Sequence, residues 1–469
     1  MLISDLGCGH VHFIGVGGIS MSGLAEILKK RGCTVSGSDL RDSHITRKLS
    51  DMGITCYQGH KAGQEAGANL VVYTSAIAKD NPELVSAKRN GIELMERAEL
   101  LGQIMQEHRL AVGISGMHGK TTCTSMLVTL LYYGGFDPTA HIGSELPLIG
   151  GTTRVGSDDI MVAEACEYKD NFLKLSPNIE IILNIDRDHL DYFRDLEHIQ
   201  SSFQKYVAKL GANDLLIING DDENCRAVHE SARCRSITFG FTEPCGLQAF
   251  HLEPGDNGCY SFEFHYLGRN YKSTLSVPGK HNVLNALAAM AAAAGCGMDM
   301  KTAAKLISRY EGATRRFEHA GKTERGAQIY HDYAHHPAEV RATLEAARTR
   351  FPDANITCIF QPHTYTRTKA LFEDFAVCFQ GVKTLILLDI YAAREQDPGD
   401  INAVMLKRRI EETGTVENCL YAKDFSEAAH MARVLSGDHD IILTLGAGDI
   451  EGLSAKIAQG QMIRKEAPI

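Results

Sequence analysis

Gly113-Ile-Ser-Gly-Met-His-Gly-Lys-Thr-Thr122 joins a glycine-rich turn to a lysine and two threonines. An apolar run, Leu110-Ala-Val-Gly-Ile114, precedes it, and a helix-like run, Cys123 to Leu131, follows. Strand, turn, Gly-Lys-Thr and helix is the order that cradles a nucleotide phosphate, because turn and helix N-terminus present backbone N–H groups to the anion. Gly116, Met117, His118, Gly119, Lys120, Thr121 and Thr122 are therefore candidate nucleotide contacts, with Lys120 reaching the β/γ-phosphates and the Thr121 hydroxyl placed for Mg²⁺. One detail departs from the usual pattern. Ile114 stands where a first glycine is expected, and the glycines at 113, 116 and 119 are spaced by three.

Other residues with chemical capacity lie at the ends of apolar runs. Asp159-Ile-Met-Val-Ala-Glu164 ends in a carboxylate, and Ile179–Ile185 empties into Asp186-Arg-Asp-His-Leu-Asp191. In parallel α/β sheets ligands collect beyond the carboxyl ends of strands, so Glu164 and the 186–189 turn could meet Lys120 and hold Mg²⁺. Strand-end capping is the plainer reading of Glu164, and His189 would be an unusual ligand for an ion that prefers oxygen. Asn282 and Asn285 share a helix face and could read an adenine edge, or simply cap the helix. Arg315 and Arg316 form a cationic pair. Ile329-Tyr-His-Asp-Tyr-Ala-His-His-Pro337 packs three histidines, Asp332 and Tyr333 into one strand-to-loop passage, without the spacing of a zinc site.

These residues must be positioned by several sheets. Residues 11–18 read as a strand and glycine turn, Ile19–Arg31 as a helix and Thr34–Asp39 as a second strand, a βαβ opening. Ser20 occupies the place of the third glycine of a dinucleotide fingerprint, so the turn signals a nucleotide or diphosphate and no more. Asp39 could accept a ribose hydroxyl, and His60 sits in a loop where a lone histidine is usually just solvated. Leu70–Ile77 is a further strand, and Ala87–His108 reads as helix-like. After residue 313, four strands each followed by a polar turn predict another doubly wound unit: 329–333, 356–363, 384–389 and 440–445. The chain thus divides into 1–108, 109–313 and 314–469, an α/β protein with a Rossmann-like N-terminal domain, a central P-loop ATPase domain and a C-terminal Rossmann-like domain.

Composition is consistent with that division. The 469 residues carry a net charge of −10, which argues against a nucleic-acid partner. Thirteen cysteines without a Cys-x-x-Cys suggest reduced thiols. Asp5 without a basic leader, and the shortness of the alanine-rich stretch Val283–Met298, point to a soluble cytoplasmic protein with no membrane partner.

Taken in order, the motifs resemble the ATP-dependent Mur ligases of peptidoglycan synthesis, within them the branch that adds alanine. The resemblance rests on Gly15-Val-Gly-Gly-Ile-Ser-Met-Ser-Gly-Leu-Ala-Glu26, Gly116–Thr122, Glu164-Ala-Cys-Glu-Tyr168, Asn184–His189 and His281–Asn285. It continues through Arg315-Arg-Phe317, Asp332–Pro337, Gln361-Pro-His-Thr-Tyr-Thr-Arg-Thr368, Ala393-Arg-Glu395 and Gly446-Ala-Gly-Asp449. It implies a ligase that uses ATP and two Mg²⁺ ions to join L-alanine to UDP-N-acetylmuramate, working as a monomer or weak homodimer.

The resemblance further implies roles for individual residues. Gly17, Gly18, Ser20, Ser38, Asp39, His60 and Ser75 would hold the uridine diphosphate. Lys120 and Thr121 would hold the ATP phosphates and Mg²⁺, and Glu164 and His189 a second ion. Asn282 and Asn285 would lie near adenine, Arg316 near the γ-phosphate and Asp332 near the ATP ribose. Tyr333, His335 and Arg367 would face alanine, with His335 a candidate base. Thr364 departs from the family by standing where many relatives carry arginine, Leu190 where many carry proline, and Gln396–Gly399 differs from the common form of its loop. Three rival readings stay open: a ligase that joins a recycled tripeptide, a nicotinamide dehydrogenase, and a non-catalytic P-loop sensor.

Overall fold

The computed structural model describes residues 7, 9–242 and 244–459, so Asp5 lies outside the described residues. Three sheets follow one another along the chain. The first is wholly parallel, from β1 (His10–Ile14), β2 (Thr34–Asp39), β3 (Thr55–Gln58), β4 (Leu70–Tyr73) and β5 (Glu93–Glu96), in the order β3-β2-β1-β4-β5. The order reverses at β1, so the Gly15–Gly18 turn opens at a switch point. The stretch expected to be helix-like from Ala87 to His108 instead holds β5 between two helices, Pro82–Arg89 and Arg97–Gln106. Its four residues sit at a sheet edge and lack the apolar run that marks the other strands.

The second sheet has ten strands. They are β6 (Leu110–Ser115), β7 (Thr139–Leu146), β8 (Gly151–Arg154), β9 (Ile160–Glu164), β10 (Ile179–Ile182), β11 (Leu215–Asn219), β12 (Arg235–Gly240), β13 (Leu247–Pro254), β14 (Cys259–Tyr266) and β15 (Arg269–Pro278). The order β15-β14-β13-β12-β11-β10-β6-β9-β7-β8 places β6 between β10 and β9, all three parallel. That register fixes the site: Ile114 of β6 pairs with Glu164 of β9, and Ser115 with Ile182 of β10. Helices Lys120–Tyr133 and His281–Gly295 pack together over this centre. Both are buried nearly all round, which is why neither shows an amphipathic stripe.

The third sheet comprises β16 (Glu318–Lys322), β17 (Gln328–Asp332), β18 (Ile356–Phe360), β19 (Thr384–Leu387), β20 (Asn418–Tyr421) and β21 (Ile441–Leu445), in the order β16-β17-β21-β18-β19-β20. Four of these match the sequence expectation. The two additional strands are its edges, antiparallel β16 and parallel β20, both short and partly polar. One apolar cluster runs from Val11 and Leu24 through Leu100 and Ile104 to Ala111, Met161 and Phe203, joining the first two sheets into one core. No helix among the described residues is long and apolar enough to cross a membrane.

Candidate active site

The phosphate loop begins later than its sequence suggests, because Ile114 is still strand and fully buried. The turn proper is Gly116–Gly119, and its two glycines are needed for different contacts. Gly116 has φ +125° against the backbone of Asn184, and Gly119 has φ +84° with Asn285 Oδ1 where a Cβ would stand. The spacing of three therefore follows from what each glycine touches. Asn184 holds the turn from outside: His118 N–H donates to Asn184 Oδ1 at 2.8 Å, and Asn184 Nδ2 donates back to His118 O at 3.0 Å.

Lys120 starts the helix beyond the loop. Its ammonium donates to Gly116 O and Met117 O and to both oxygens of Glu167, at 2.9 and 3.1 Å. Glu167 is 1% exposed, and its other neighbour is His189 Nε2 at 3.3 Å. Burial pulls the Lys120 pKa down, but the Glu167 carboxylate more than offsets this and the net shift is upward. Burial likewise pushes Glu167 up, while Lys120 and His189 bring it below the ordinary range. His189 is favoured as a cation by Asp188 and Glu167 despite burial. Its backbone is left-handed, φ +52°, an uncommon state for a non-glycine residue at a functional turn. Glu164, at the end of β9, accepts from Gly143 N–H at 2.6 Å.

Beside the loop lies a cavity of about 520 Å³. Gly119, Thr122, Asn282, Asn285, Arg316 and Asp332 are among its walls, so the two helix amides and the two third-sheet residues reach the same space. Asn285 Nδ2 donates to Asn282 Oδ1 at 3.0 Å, and Asn282 Nδ2 to Pro278 O at 2.7 Å. Asp332 accepts from Phe317 and Ala334 N–H, each at 2.8 Å, and burial pushes its carboxyl up to about 6. Arg316 Nη2 donates to Thr121 Oγ1 at 3.3 Å, carrying a cation from the third unit onto the phosphate loop.

Further cross-links bring the third sheet over the second. His118 Nδ1 meets Glu339 Oε1 at 3.1 Å, and His336 Nε2 donates to Arg187 O at 3.1 Å. Arg367 grips Asp188 through Nε at 2.9 Å and Nη2 at 2.8 Å, and donates to His363 O through Nη1 at 2.6 Å. Arg367, expected to face alanine, is thus tied on both edges. Tyr333 lies under Arg315 and Arg316 and edge-on to His335. His335 Nδ1–H donates to Tyr333 O at 2.9 Å, and burial pushes its pKa down to about 3. That weakens His335 as the expected general base. Thr364 donates to Glu395, which also accepts from Thr366 N–H at 2.9 Å.

In the first unit, Ser38 donates to Glu83 Oε1 at 2.8 Å, and His60 Nδ1 meets the same oxygen at 2.7 Å. Glu83 is fully buried and also holds His12. Asp39 Oδ2 accepts from Gly17 N–H at 3.0 Å, and Ser20 contacts Arg97 and His141. Ser75 is exposed on the turn after β4. Gly18 caps the helix Ile19–Lys30 with no side-chain bond and no acid in the first turn, leaving its positive end open to an anion.

Sequence reasoning gave no role to Glu83, Arg97 or Glu339, quoted Glu167 and Asn184 only within motifs, and reached Asp188 only as part of the 186–189 turn. Glu167 stands three residues after Glu164 but past the strand end, and Glu83 is buried in a helix with no local mark. Among the described residues, one set of three potential ligand groups converges, His118, Asp186 and His336, and it contains neither Glu164 nor His189.

Comparison with known proteins gives one answer along the whole chain. Residues 10–109 match the Mur ligase family catalytic domain, 114–293 the Mur ligase middle domain, and 315–448 the Mur ligase glutamate ligase domain. A UDP-N-acetylmuramate–L-alanine ligase of Acetivibrio thermocellus is 45% identical over 446 residues, 94% of each chain. One from Clostridium botulinum is 44% identical over 442 residues, 94% of this chain and 95% of that one. The crystal structure of a UDP-N-acetylmuramate–alanine ligase from Thermotoga maritima superposes with a TM-score of 0.80 at 27% identity, covering 96% and 98% of the two chains. On these matches the chain belongs to the Mur ligase family.

Proposed function

We propose that this protein joins L-alanine to the lactyl carboxylate of UDP-N-acetylmuramate, with ATP converted to ADP and phosphate, as a step in cytoplasmic synthesis of the peptidoglycan precursor. The observation that carries this is the arrival of a third-unit cation at the phosphate loop: Arg316, in the turn before β16, donates through Nη2 to Thr121 Oγ1 at 3.3 Å, next to Lys120. The first unit adds a diphosphate-type glycine turn at the switch point of its own sheet. Similarity to alanine-adding relatives over nearly the full length supports the choice of substrates.

The chemistry follows from charge. A lactyl carboxylate oxygen attacks the γ-phosphorus, the new O–P bond forms, and the bond to ADP breaks. Carboxylate and triphosphate repel each other, and Lys120 and Arg316 offset that repulsion. The neutral amine of alanine then attacks the acyl carbon, phosphate departs with the electron pair, and the amine proton passes to phosphate or solvent. We assign adenine to the wall of Asn282 and Asn285, and the ribose to Asp332. Uridine diphosphate falls to Gly17, Gly18, Ser20, Ser38, Asp39, His60 and Ser75, with Glu83 orienting His60. Tyr333 and His335 border the alanine side, where Arg367 contributes whatever charge Asp188 leaves it.

The donors fit Mg²⁺ in part. The Thr121 hydroxyl and the Glu164 carboxylate supply the oxygen ligands it prefers. His189, arranged here as a cation toward Glu167, would act as a ligand only after losing its proton. A bound ion supplies positive charge to the transferring phosphoryl group. We expect Glu164→Ala to raise the Mg²⁺ concentration for half-maximal turnover at least about tenfold. An unchanged Mg²⁺ titration would remove Glu164 from the metal site.

The substrate assignment is tested by phosphate release with UDP-N-acetylmuramate against a panel of amino acids and the tripeptide. Release that depends on L-alanine supports it. Release that depends on the tripeptide, or tight nicotinamide binding without release, favours a rival.

A further inference from the structure

Arg97 begins the helix Arg97–Gln106 and is half-buried. Three neighbouring cations have acids: Lys120 has Glu167, Arg367 has Asp188 and Arg315 has Glu451, whereas Arg316 hydrogen-bonds only the Thr121 hydroxyl among the described residues. No ion pair among the described residues includes Arg97. Of its five N–H donors one is accounted for, Nη1 donating to Ser20 Oγ at 2.8 Å. Its nitrogens are absent from the fully buried polar atoms that lack a partner, so the remaining donors keep some exposure. Burial disfavours the charge, and only the Cys166 thiol opposes that effect.

The guanidinium is held in place through Ser20. Ser20 accepts from Arg97 and donates to His141 Nε2 at 2.8 Å. His141 is buried and pushed down to about 3, so it is a neutral imidazole that can accept. A Cβ on Gly23 would strike the side chains of Thr153 and His141, so the helix Ile19–Lys30 lies directly against β7 and β8. Arg97 therefore stands beside the first turn of that helix, on the side facing Cys166 and its neighbour Glu167. Asp39 meets the preceding glycine turn at Gly17 N–H, and Ser38 of the same strand meets His60.

We propose that Arg97 grips the sugar-side phosphate of the diphosphate, together with the backbone N–H groups that open the helix Ile19–Lys30. This rests on the nucleotide-sugar reading of the first unit. A planar fork of donors suits a phosphate, and the adjacent helix N-terminus favours the same anion. The lactyl carboxylate is the competing anion, but it must reach Lys120 and Arg316 to react.

The test compares UMP, UDP and UDP-N-acetylmuramate by calorimetry on wild type, Arg97→Met and Arg97→Lys. Arg97→Met should weaken UDP and UDP-N-acetylmuramate about ten- to a hundredfold and leave UMP within about twofold. Arg97→Lys should give an intermediate loss for the two diphosphates, and decides the matter if the methionine variant does not fold. ADP affinity at the phosphate loop should stay unchanged in both. Equal losses for UMP and UDP would reduce Arg97 to a structural role. A loss confined to UDP-N-acetylmuramate would move the contact to the carboxylate and overturn the proposal. If wild type binds neither UDP nor UDP-N-acetylmuramate, the nucleotide-sugar reading itself fails.

Discussion

Lys120→Ala should reduce phosphate release at least about a thousandfold while UDP-N-acetylmuramate binding survives. In the proposed mechanism the ammonium is the cation that the loop itself brings to the phosphates, and the loop carries no other lysine or arginine to substitute. The same change has a second consequence, because Glu167 is almost completely buried and loses its closest counter-charge. Removing one partner of a buried pair costs about 3–5 kcal/mol when nothing compensates. Here His189 remains 3.3 Å from Glu167, so the lower end of that range is expected. Adding Glu167→Gln to Lys120→Met should restore much of the stability and none of the turnover, separating the two roles of the lysine. The sign of the pH dependence is set by both partners. Lys120 is raised above 10.5, so its contribution is lost only as pH rises through that higher value. Glu167 is lowered from 4.5, so its contribution is lost only as pH falls through the lower value. Denaturant unfolding of wild type should therefore show no pH dependence from this pair between about pH 5 and 10. Phosphate release by Lys120→Ala above about one per cent of wild type would remove the lysine from the mechanism.

The parts of this arrangement that were legible in sequence are those with local signals. β6, β9, β10 and β21 announce themselves as apolar runs, and the first three end at or just before candidate site residues. β5 and β20 do not, because four-residue edge strands carry no periodicity that separates them from loop or helix. The phosphate loop was legible from its glycines and Gly-Lys-Thr, although the reason for their spacing lies in Leu183, Asn184 and Asn285, which approach it from elsewhere. The electrostatic couplings were not legible at all. His118 and Glu339 are 221 positions apart, Thr121 and Arg316 are 195 apart, and Asp188 and Arg367 are 179 apart. Sequence reasoning could name Arg367 as a cation near alanine, but could not see that a buried acid already holds it. Nor could it foresee that burial would lower the pKa of His335, since that depends on the packing of two sheets.

The Asp188–Arg367 pair leads to the other large effect. Arg367→Met should lower kcat/KM for L-alanine at least about a hundredfold, with a loss of stability of about 2–4 kcal/mol. Asp188 is 5% exposed and Arg367 10%, so the pair is little screened by water. Burial alone would push the Asp188 carboxyl up, but Arg367 holds it well below its ordinary 3.8. A depressed acid stabilises above its unfolded value and loses that contribution as pH falls through the folded one, so the wild-type pair persists throughout the neutral range. Without the guanidinium, burial is opposed only by the neighbouring histidines, His189 first, and Asp188 titrates at higher pH. The acid limb of kcat/KM for alanine should then move upward in Arg367→Met. Arg367→Lys, which keeps the charge but not the two-pronged contact, should fall between the two. Because the pair joins the turn after β10 to the helix Tyr365–Ala370 that follows β18, its loss should also slow the closure that shields an acyl phosphate from water. ATP hydrolysis uncoupled from amide formation should rise accordingly. An unshifted acid limb together with unchanged coupling would mean that Arg367 meets the substrate directly, and that its bond to Asp188 is incidental.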